Sequence, residues 1–328
     1  MTSPPTAKPD LLGLIDQAIA GALDTGTLQP IRTEQTLVHD DGFDFSVRWV
    51  SSLARKDAAR VDAVTRRTPD FNPFLPPEPS LTVAELGAGH LAVLNKYPVI
   101  ERHLLIITRQ FEAQTAPLNV ADFSALALVM RAHGGLGFYN GGAIAGASQP
   151  HKHLQWVPSD SGLQSFMTSL SPTSGEFGEN LALPWRHICV RLDEACWVSP
   201  TEHCGAQLHA AFTRACSALD LPPAADPMPA YNLLLTRDGL MLVPRSREKR
   251  EDISVNALGF AGSLFVRRPE QIELLRAIGP LALLTSVAQE RVATAGELVK
   301  KSSRAGRVQG ANDANDETYQ MDRRGVSE

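Results

Sequence analysis

The chain has 328 residues, 43% of them hydrophobic, with a net charge of -5 and a pI near 6.0. That is enough apolar mass for one large core or two modest ones, and the acidic balance without a basic stripe excludes a protein that coats nucleic acid, though not one that holds a small anion. No run reaches the roughly eighteen apolar residues of a membrane span, and Met1 to Pro9 lacks the apolar core of a signal peptide, so the expected compartment is the cytoplasm.

Apolar residues at helical spacing predict a first helix over Leu11–Leu23. Phe43–Val50 alternates as a strand, with Phe43, Phe45, Val47 and Trp49 on one face. Five prolines between Pro69 and Pro79 predict an irregular loop anchored by Phe71 and Phe74. Strands follow at His90–Leu94 and His103–Thr108, then a helix over Val120–His133 between an Asn119 cap and a Gly134-Gly135 stop. Phe138–Gln155 reads as strand, glycine-rich turn (Gly141–Gly146) and strand, and Ser161–Pro184 as a linker.

Beyond it, Ile188–Leu192 is a strand and Ala206–Leu219 a helix. Tyr231–Thr236 and Leu240–Val243 flank Asp238-Gly239 as a hairpin. A strand over Phe260–Val266 and helices over Pro269–Ile278 and Leu281–Val292 close the fold, and Ser302–Glu328 reads as a disordered tail. The mixture has no βαβ rhythm, which predicts an α+β protein with an antiparallel sheet. Four cysteines (Cys189, Cys196, Cys204, Cys216) without a C-x-x-C knuckle read as buried residues rather than a disulfide framework or a zinc site.

The most informative segment is Gly146 to Gln155. On a strand, positions i, i+2 and i+4 share a face, so His151, His153 and Gln155 converge while Lys152, Leu154 and Trp156 point away. A helix would scatter the same three over about 200°. A neutral imidazole nitrogen can attack phosphorus and form a covalent intermediate. It needs a partner to fix its tautomer and donors for the phosphoryl oxygens. Ser148, Gln149, Gln155 and backbone N–H groups near Gly146 are candidate donors. The bland alternative is a half-buried strand with satisfied core histidines.

Ser148–Gln155 (Ser-Gln-Pro-His-Lys-His-Leu-Gln) resembles the signature of the diadenosine tetraphosphate phosphorylases, or ATP adenylyltransferases, of the histidine-triad (HIT) superfamily. Further collinear segments resemble the same family: Asn95–Pro98, His103–Thr108, Phe138–Asn140, Tyr231–Thr236, Val243–Ser246 and Asn256–Gly262. The resemblance implies a HIT-like antiparallel sheet flanked by helices, with a catalytic part over 10–165 and a C-terminal ATP adenylyltransferase domain over 185–300 packed on the same core. It implies that His153 is the adenylylated nucleophile, that His151 shapes the site, and that Gln155, where the hydrolases carry a third histidine, goes with transfer to an acceptor. Asn140, Gly146, Ser148 and Gln149 would bind the reacting phosphates, Asn95 and Lys96 the nucleoside or phosphate chain, and Lys56 the polyphosphate. The basic run Arg245–Arg250, with Arg245 and Lys249, reads as solvated, the alternative being a reach to a distal phosphate.

The implied reaction is phosphorolysis of diadenosine tetraphosphate to ATP and ADP, with Mg2+ carried by the polyphosphate and no tight protein metal site. The implied partners are these nucleotides and phosphate, with no nucleic acid and no membrane, in a monomer or homodimer. Alternatives are a nucleotide-sugar uridylyl or adenylyl transferase, a HIT-type dinucleoside polyphosphate hydrolase, and a nucleotide sensor without turnover. The uridylyltransferase branch has proline between its histidines, where Lys152 stands here.

Overall fold

A computed structural model describes residues 10–50, 71–159, 162–167 and 177–291. All of them but Arg291 belong to one compact unit that ends at Glu290; the expected Ser302–Glu328 tail and Lys56 lie outside the described residues. The chain opens with a helix, Leu11–Asp24, capped by Asp10, whose carboxylate accepts from the Gly13 N–H at 2.8 Å. A hairpin of β1 (Thr33–Asp40) and β2 (Phe43–Val50) follows. The rest of the first half supplies β3 (Thr82–Leu86), β4 (His90–Leu94), β5 (Leu104–Thr108), β6 (Leu136–Asn140) and β7 (His153–Val157). The second half supplies β8 (Phe177–Gly178), β9 (Ile188–Arg191), β10 (Tyr231–Leu235), β11 (Gly239–Pro244), the short β12 (Lys249–Arg250) and β13 (Ile253–Ser254), and β14 (Ser263–Val266).

Nine strands form one antiparallel sheet in the order β3-β4-β5-β7-β6-β10-β11-β9-β8. The two halves join at its centre, where β6 pairs with β10 and Asn140 lies opposite Asn232. The remaining long strands form a smaller sheet, β1-β2-β14, in which β14 runs parallel to β2.

Two helices cover one face of the large sheet. Val120–His133 has the full reciprocal cap, in which Asn119 Oδ1 accepts from the Ala121 and Asp122 N–H groups and Asp122 accepts from the Asn119 N–H. It packs against Thr201–Ala218 closely enough that a Cβ on Gly205 would come within 2.8 Å of the Ser124 backbone. Leu126, Met130, Leu154, Trp156, Leu208, Phe212 and Leu233 fill this side. On the opposite side Phe45, Phe138, Phe166, Trp185, Phe260 and Leu284 form a second core that carries the β1-β2-β14 layer.

Five strands escape the sequence reading, among them the two-residue β12 and β13. β1 is mostly exposed and polar, so it lacks the apolar alternation that marks a half-buried strand, although Asp41-Gly42 signals its hairpin. β3 and β8 are short edge strands. The expected linker Ser161–Pro184 is not one in its described parts: Leu163–Met167 is a helix that buries Leu163 and Phe166, and Leu183 is also in the core. Of the two aromatics expected to anchor the proline loop, Phe74 is 6% exposed but Phe71 is 67% exposed. All four cysteines are buried. Among the described residues no helix is long and apolar enough to cross a membrane.

Candidate active site

Strand β7 is the floor of a cleft of about 1590 Å3 between the proline loop, the Gly141–Gly146 turn and the Asp252–Arg267 stretch. Drug-sized ligands commonly occupy about 300–1,000 Å3, so this space suits something larger. His153 and Gln155 line it, and Leu154 and Trp156 pack under the helices. The intervening Lys152 is fully buried on the helix side, where its Nζ donates to Glu112 at 2.6 Å, the Pro117 carbonyl at 3.0 Å and Asp122 at 3.3 Å. The expected alternation holds for His153 and Gln155, whereas His151 stands just ahead of the strand and does not line the cleft.

His153 Nδ1 lies 2.8 Å from the His151 carbonyl oxygen, which can only accept. Nδ1 therefore carries the proton, and the Nε2 lone pair is left without a described partner. The backbone N–H of His153 donates to Gln114 Oε1 at 2.8 Å, and the Phe74 ring packs 5.4 Å from the imidazole. Burial pushes the His153 pKa down to about 4, so the ring is neutral near pH 7.

His151 is engaged at both nitrogens. Asn72 Nδ2 donates to its Nδ1 at 3.0 Å, with the amide turned that way because Asn72 Oδ1 accepts the Phe74 N–H. Its Nε2–H then donates to the Thr108 carbonyl at 2.9 Å. His151 thus acts on its neighbour through its backbone carbonyl, while its ring holds the entry to β7 in place.

The other predicted residues divide. Asn140 Oδ1 accepts from Asn232 Nδ2 at 2.8 Å and the Ala257 N–H at 2.9 Å, which leaves its Nδ2 for the cleft. Ser148 and Gln149 line the cleft with no described side-chain partner, so both are available donors. Lys96 reaches the rim and pairs with Glu78 at 3.0 Å. Asn95 borders the cleft, but its amide is used internally, on His103 Nδ1 at 3.1 Å and the Tyr97 N–H at 3.2 Å.

Arg245 corrects the sequence reading. It is 3% exposed rather than solvated. Its guanidinium donates to Asn232 Oδ1 at 2.6 Å, the Val255 carbonyl at 2.9 Å and the Val287 carbonyl at 3.0 Å, and sits 5.4 Å over the Phe260 ring. Burial lowers its pKa to about 10. It ties the Gly141–Gly146 turn to the Val255–Ala257 segment through Asn232 and Asn140, and supplies charge to structure rather than to a ligand. Lys249 is exposed and pairs with Asp252. Residues missed from sequence are Asn72, His103, Gln114 and Asn232. Their cross-strand pairing was the missing information: Gln155 lies opposite Leu105, which puts His103 diagonally beside it.

Gly146 is required by two constraints. Its φ is +90°, and a Cβ there would lie 2.8 Å from the Val255 carbonyl oxygen and 2.9 Å from Asn256 Cα. Gly146→Ala is expected to cost about 1–3 kcal/mol of stability from backbone strain and to lower activity at least tenfold by pushing the two cleft walls apart, as a paired thermal melt and rate assay would show. Unchanged values would mean that the walls adapt freely.

The buried histidines also set a pH dependence. His103 and His153 titrate near 4 in the fold, and burial lowers His151 as well, against about 6.5 unfolded. Between those values the unfolded chain binds more protons, so stability rises with pH. Denaturant midpoints are expected to be flat above about pH 7 and to fall from about pH 6.5 toward 4. A midpoint that rises on acidification would contradict the assignment.

Strand β7 thus carries a neutral histidine nucleophile candidate and an amide beside it, with the carbonyl that sets the tautomer two residues ahead of it on His151, all in an antiparallel α+β fold. Fold and site together define an antiparallel α+β protein with a histidine nucleophile candidate in a cleft of nucleotide size. The Ap4A phosphorylase N-terminal domain model matches residues 2–172 and the ATP adenylyltransferase C-terminal domain model matches residues 181–290. The chain belongs to the Ap4A phosphorylase family. It is 26% identical over 297 residues to Protein APA1 of Saccharomyces cerevisiae, covering 80% of this chain and 88% of the relative. It is 27% identical over 256 residues to Diadenosine 5',5'''-P1,P4-tetraphosphate phosphorylase 2 of the same yeast, covering 70% and 78%. The crystal structure of yeast Ap4A phosphorylase Apa2 in complex with Ap4A has the same fold, with a TM-score of 0.68 at 24% identity over 87% of this chain and 99% of that one.

Proposed function

We propose that this protein catalyses the reversible phosphorolysis of diadenosine tetraphosphate by inorganic phosphate to ATP and ADP. Family membership and the named activity of the second yeast relative support the substrate. The observation that carries the mechanism is the hydrogen bond from His153 Nδ1–H to the His151 carbonyl, which leaves Nε2 neutral, unprotonated and free.

In the proposed sequence His153 Nε2 attacks the α-phosphorus at one adenosine end. The N–P bond forms as the bond to the bridging oxygen breaks, and ATP departs. A phosphate oxygen then attacks the same phosphorus, the N–P bond breaks, and ADP leaves with the histidine neutral again. Two in-line displacements give net retention at phosphorus. Gln155, Asn140, Ser148 and Gln149 would donate to the phosphoryl oxygens, whose charge must be held through each displacement. Lys56 and Lys96 are assigned to the polyphosphate. We assign Mg2+ to the polyphosphate as well, since this ion is commonly held by substrate phosphates and a few carboxylates. Among the described residues no three His, Cys, Asp or Glu side chains are grouped to hold a metal. The free, buried cysteines suit the cytoplasm.

The test is product analysis of diadenosine tetraphosphate with Mg2+, with and without phosphate. ATP and ADP appearing only with phosphate is the expected result. AMP and ATP without phosphate would establish a hydrolase instead, and absence of turnover in both would overturn the reading.

A further inference from the structure

Gln155 has two amide orientations that fit the same space, and only one is useful. With NH2 toward the cleft it donates to a phosphoryl oxygen, and with Oε1 there it repels one. We infer that His103, itself held by Asn95, is a positioning residue that fixes Gln155 with its NH2 toward the cleft. The inference rests on the phosphoryl-transfer reading and adds a residue to it.

The chain of hydrogen bonds begins at a group that cannot reverse. The backbone N–H of Tyr97 can only donate, and it lies 3.2 Å from Asn95 Oδ1. That fixes Asn95 with Nδ2 on the other side, where it donates to His103 Nδ1 at 3.1 Å. In a neutral imidazole one nitrogen accepts and the other donates, so His103 Nε2 carries the proton. It lies 2.8 Å from Gln155 and can only donate, so the Gln155 atom facing it is the oxygen. The amide NH2 is left for the cleft, which both residues line.

The relay depends on a neutral His103, because an imidazolium would have no acceptor for Asn95. Burial, with His153 nearby, keeps the His103 pKa at about 4. The same device recurs beneath His151, where the Phe74 N–H orients Asn72 and Asn72 sets the imidazole tautomer. Two backbone N–H groups, each acting through an asparagine and a histidine, thus set the polarity of the residues on either side of the nucleophile. Asn95 becomes an orienting residue in this account, in place of a direct ligand contact.

The experiment is a double-variant cycle on phosphorolysis, with a tautomer readout that needs no turnover. His103→Phe keeps a ring of similar size and removes both nitrogens. It is expected to lower kcat about 10- to 100-fold with KM changed less than about threefold, since the donor matters most where charge develops. His103→Gln, whose amide can accept from Asn95 and donate to Gln155, should recover most of the loss. In a Gln155→Ala background His103→Phe should cost less than about twofold, because its partner is gone. Additive losses, or no recovery with glutamine, would overturn the inference by assigning His103 a merely structural role. If His103→Phe fails to fold, Asn95→Ala takes its place in the cycle with the same expected coupling. Independently, nitrogen-15 spectra of the unmodified protein should show His103 as the Nε2–H tautomer, and the Nδ1–H tautomer would overturn the relay. If the unmodified enzyme shows no phosphorolysis, the functional reading has failed, and the tautomer decides the positioning on its own.

Discussion

His153→Ala is expected to abolish adenylyl transfer while leaving the fold intact. The proposed mechanism passes through an N–P bond at Nε2, and no neighbour can replace it: His151 has both ring nitrogens engaged, and His103 faces Gln155 and Asn95. Removing a covalent nucleophile leaves only positioning and charge stabilisation, so the loss should be at least about 10⁴-fold in kcat. Stability should change little at neutral pH, because the side chain makes one hydrogen bond, to an adjacent carbonyl, worth about 1 kcal/mol net. At pH 5 the effect should reverse in part. A group whose pKa is depressed to about 4 by burial destabilises the fold as the pH falls below about 6.5, and alanine removes that group. Rapid-quench detection of the adenylylated protein, alongside urea titrations at both pH values, makes the check. A variant that keeps more than about 1% of the rate would end the case for His153 as nucleophile.

The shared placement of His153 and Gln155 in the cleft was legible because strand alternation is a local property, whereas His151 packs on the same Phe74 ring but is held by Asn72 and Thr108 outside the lining. The helix over Val120–His133 was legible for the same reason, with cap and stop written at its ends. What the sequence did not show depends on pairings between distant segments. Arg245 looks solvated beside Arg247, Lys249 and Arg250. Its burial follows from β11 lying inside the sheet and from five carbonyls and Asn232 converging on its guanidinium. The two Asn–His relays join residues 8 and 79 positions apart. β1 was missed because a polar, exposed strand has no pattern to read.

Lys152 gives the second large effect. The spacing placed it on the face away from the histidines but could not name its partners, Glu112 and Asp122, which lie 40 and 30 residues away. Asp122 is fully buried, accepts from His90 Nε2 at 2.8 Å and caps the Asn119 N–H. Burial alone would raise its carboxyl, but the His90 hydrogen bond and the Lys152 charge hold it below the usual carboxylate range.

Asp122→Ala would leave a buried ammonium with one carboxylate fewer, an unpartnered imidazole nitrogen and the Asn119 N–H without its half of the reciprocal cap. Breaking a buried pair from one side costs about 3–5 kcal/mol, whereas replacing both charges by apolar groups of similar size is commonly near neutral. Asp122→Ala is therefore expected to lower stability by about that amount, and Asp122→Leu with Lys152→Met by much less than the two single losses summed. The Asp122 contribution should also disappear on acidification. A carboxyl held below its unfolded pKa stabilises above that pKa and loses the effect as the pH falls through the folded value.

Activity should follow a different course. The Lys152 backbone is bonded to Thr108 N and the Glu112 carbonyl whatever its side chain does, so the histidines keep their positions while the protein is folded. Well below the melting temperature, kcat of the double variant should stay within about tenfold of the parent. The segment then serves two purposes in alternation, with His153 and Gln155 in the cleft for the reaction and Lys152, Leu154 and Trp156 toward the helices for the fold. A double variant that is stable but inactive would show that the buried charges reach through the sheet to the nucleophile, and the division by face would be wrong.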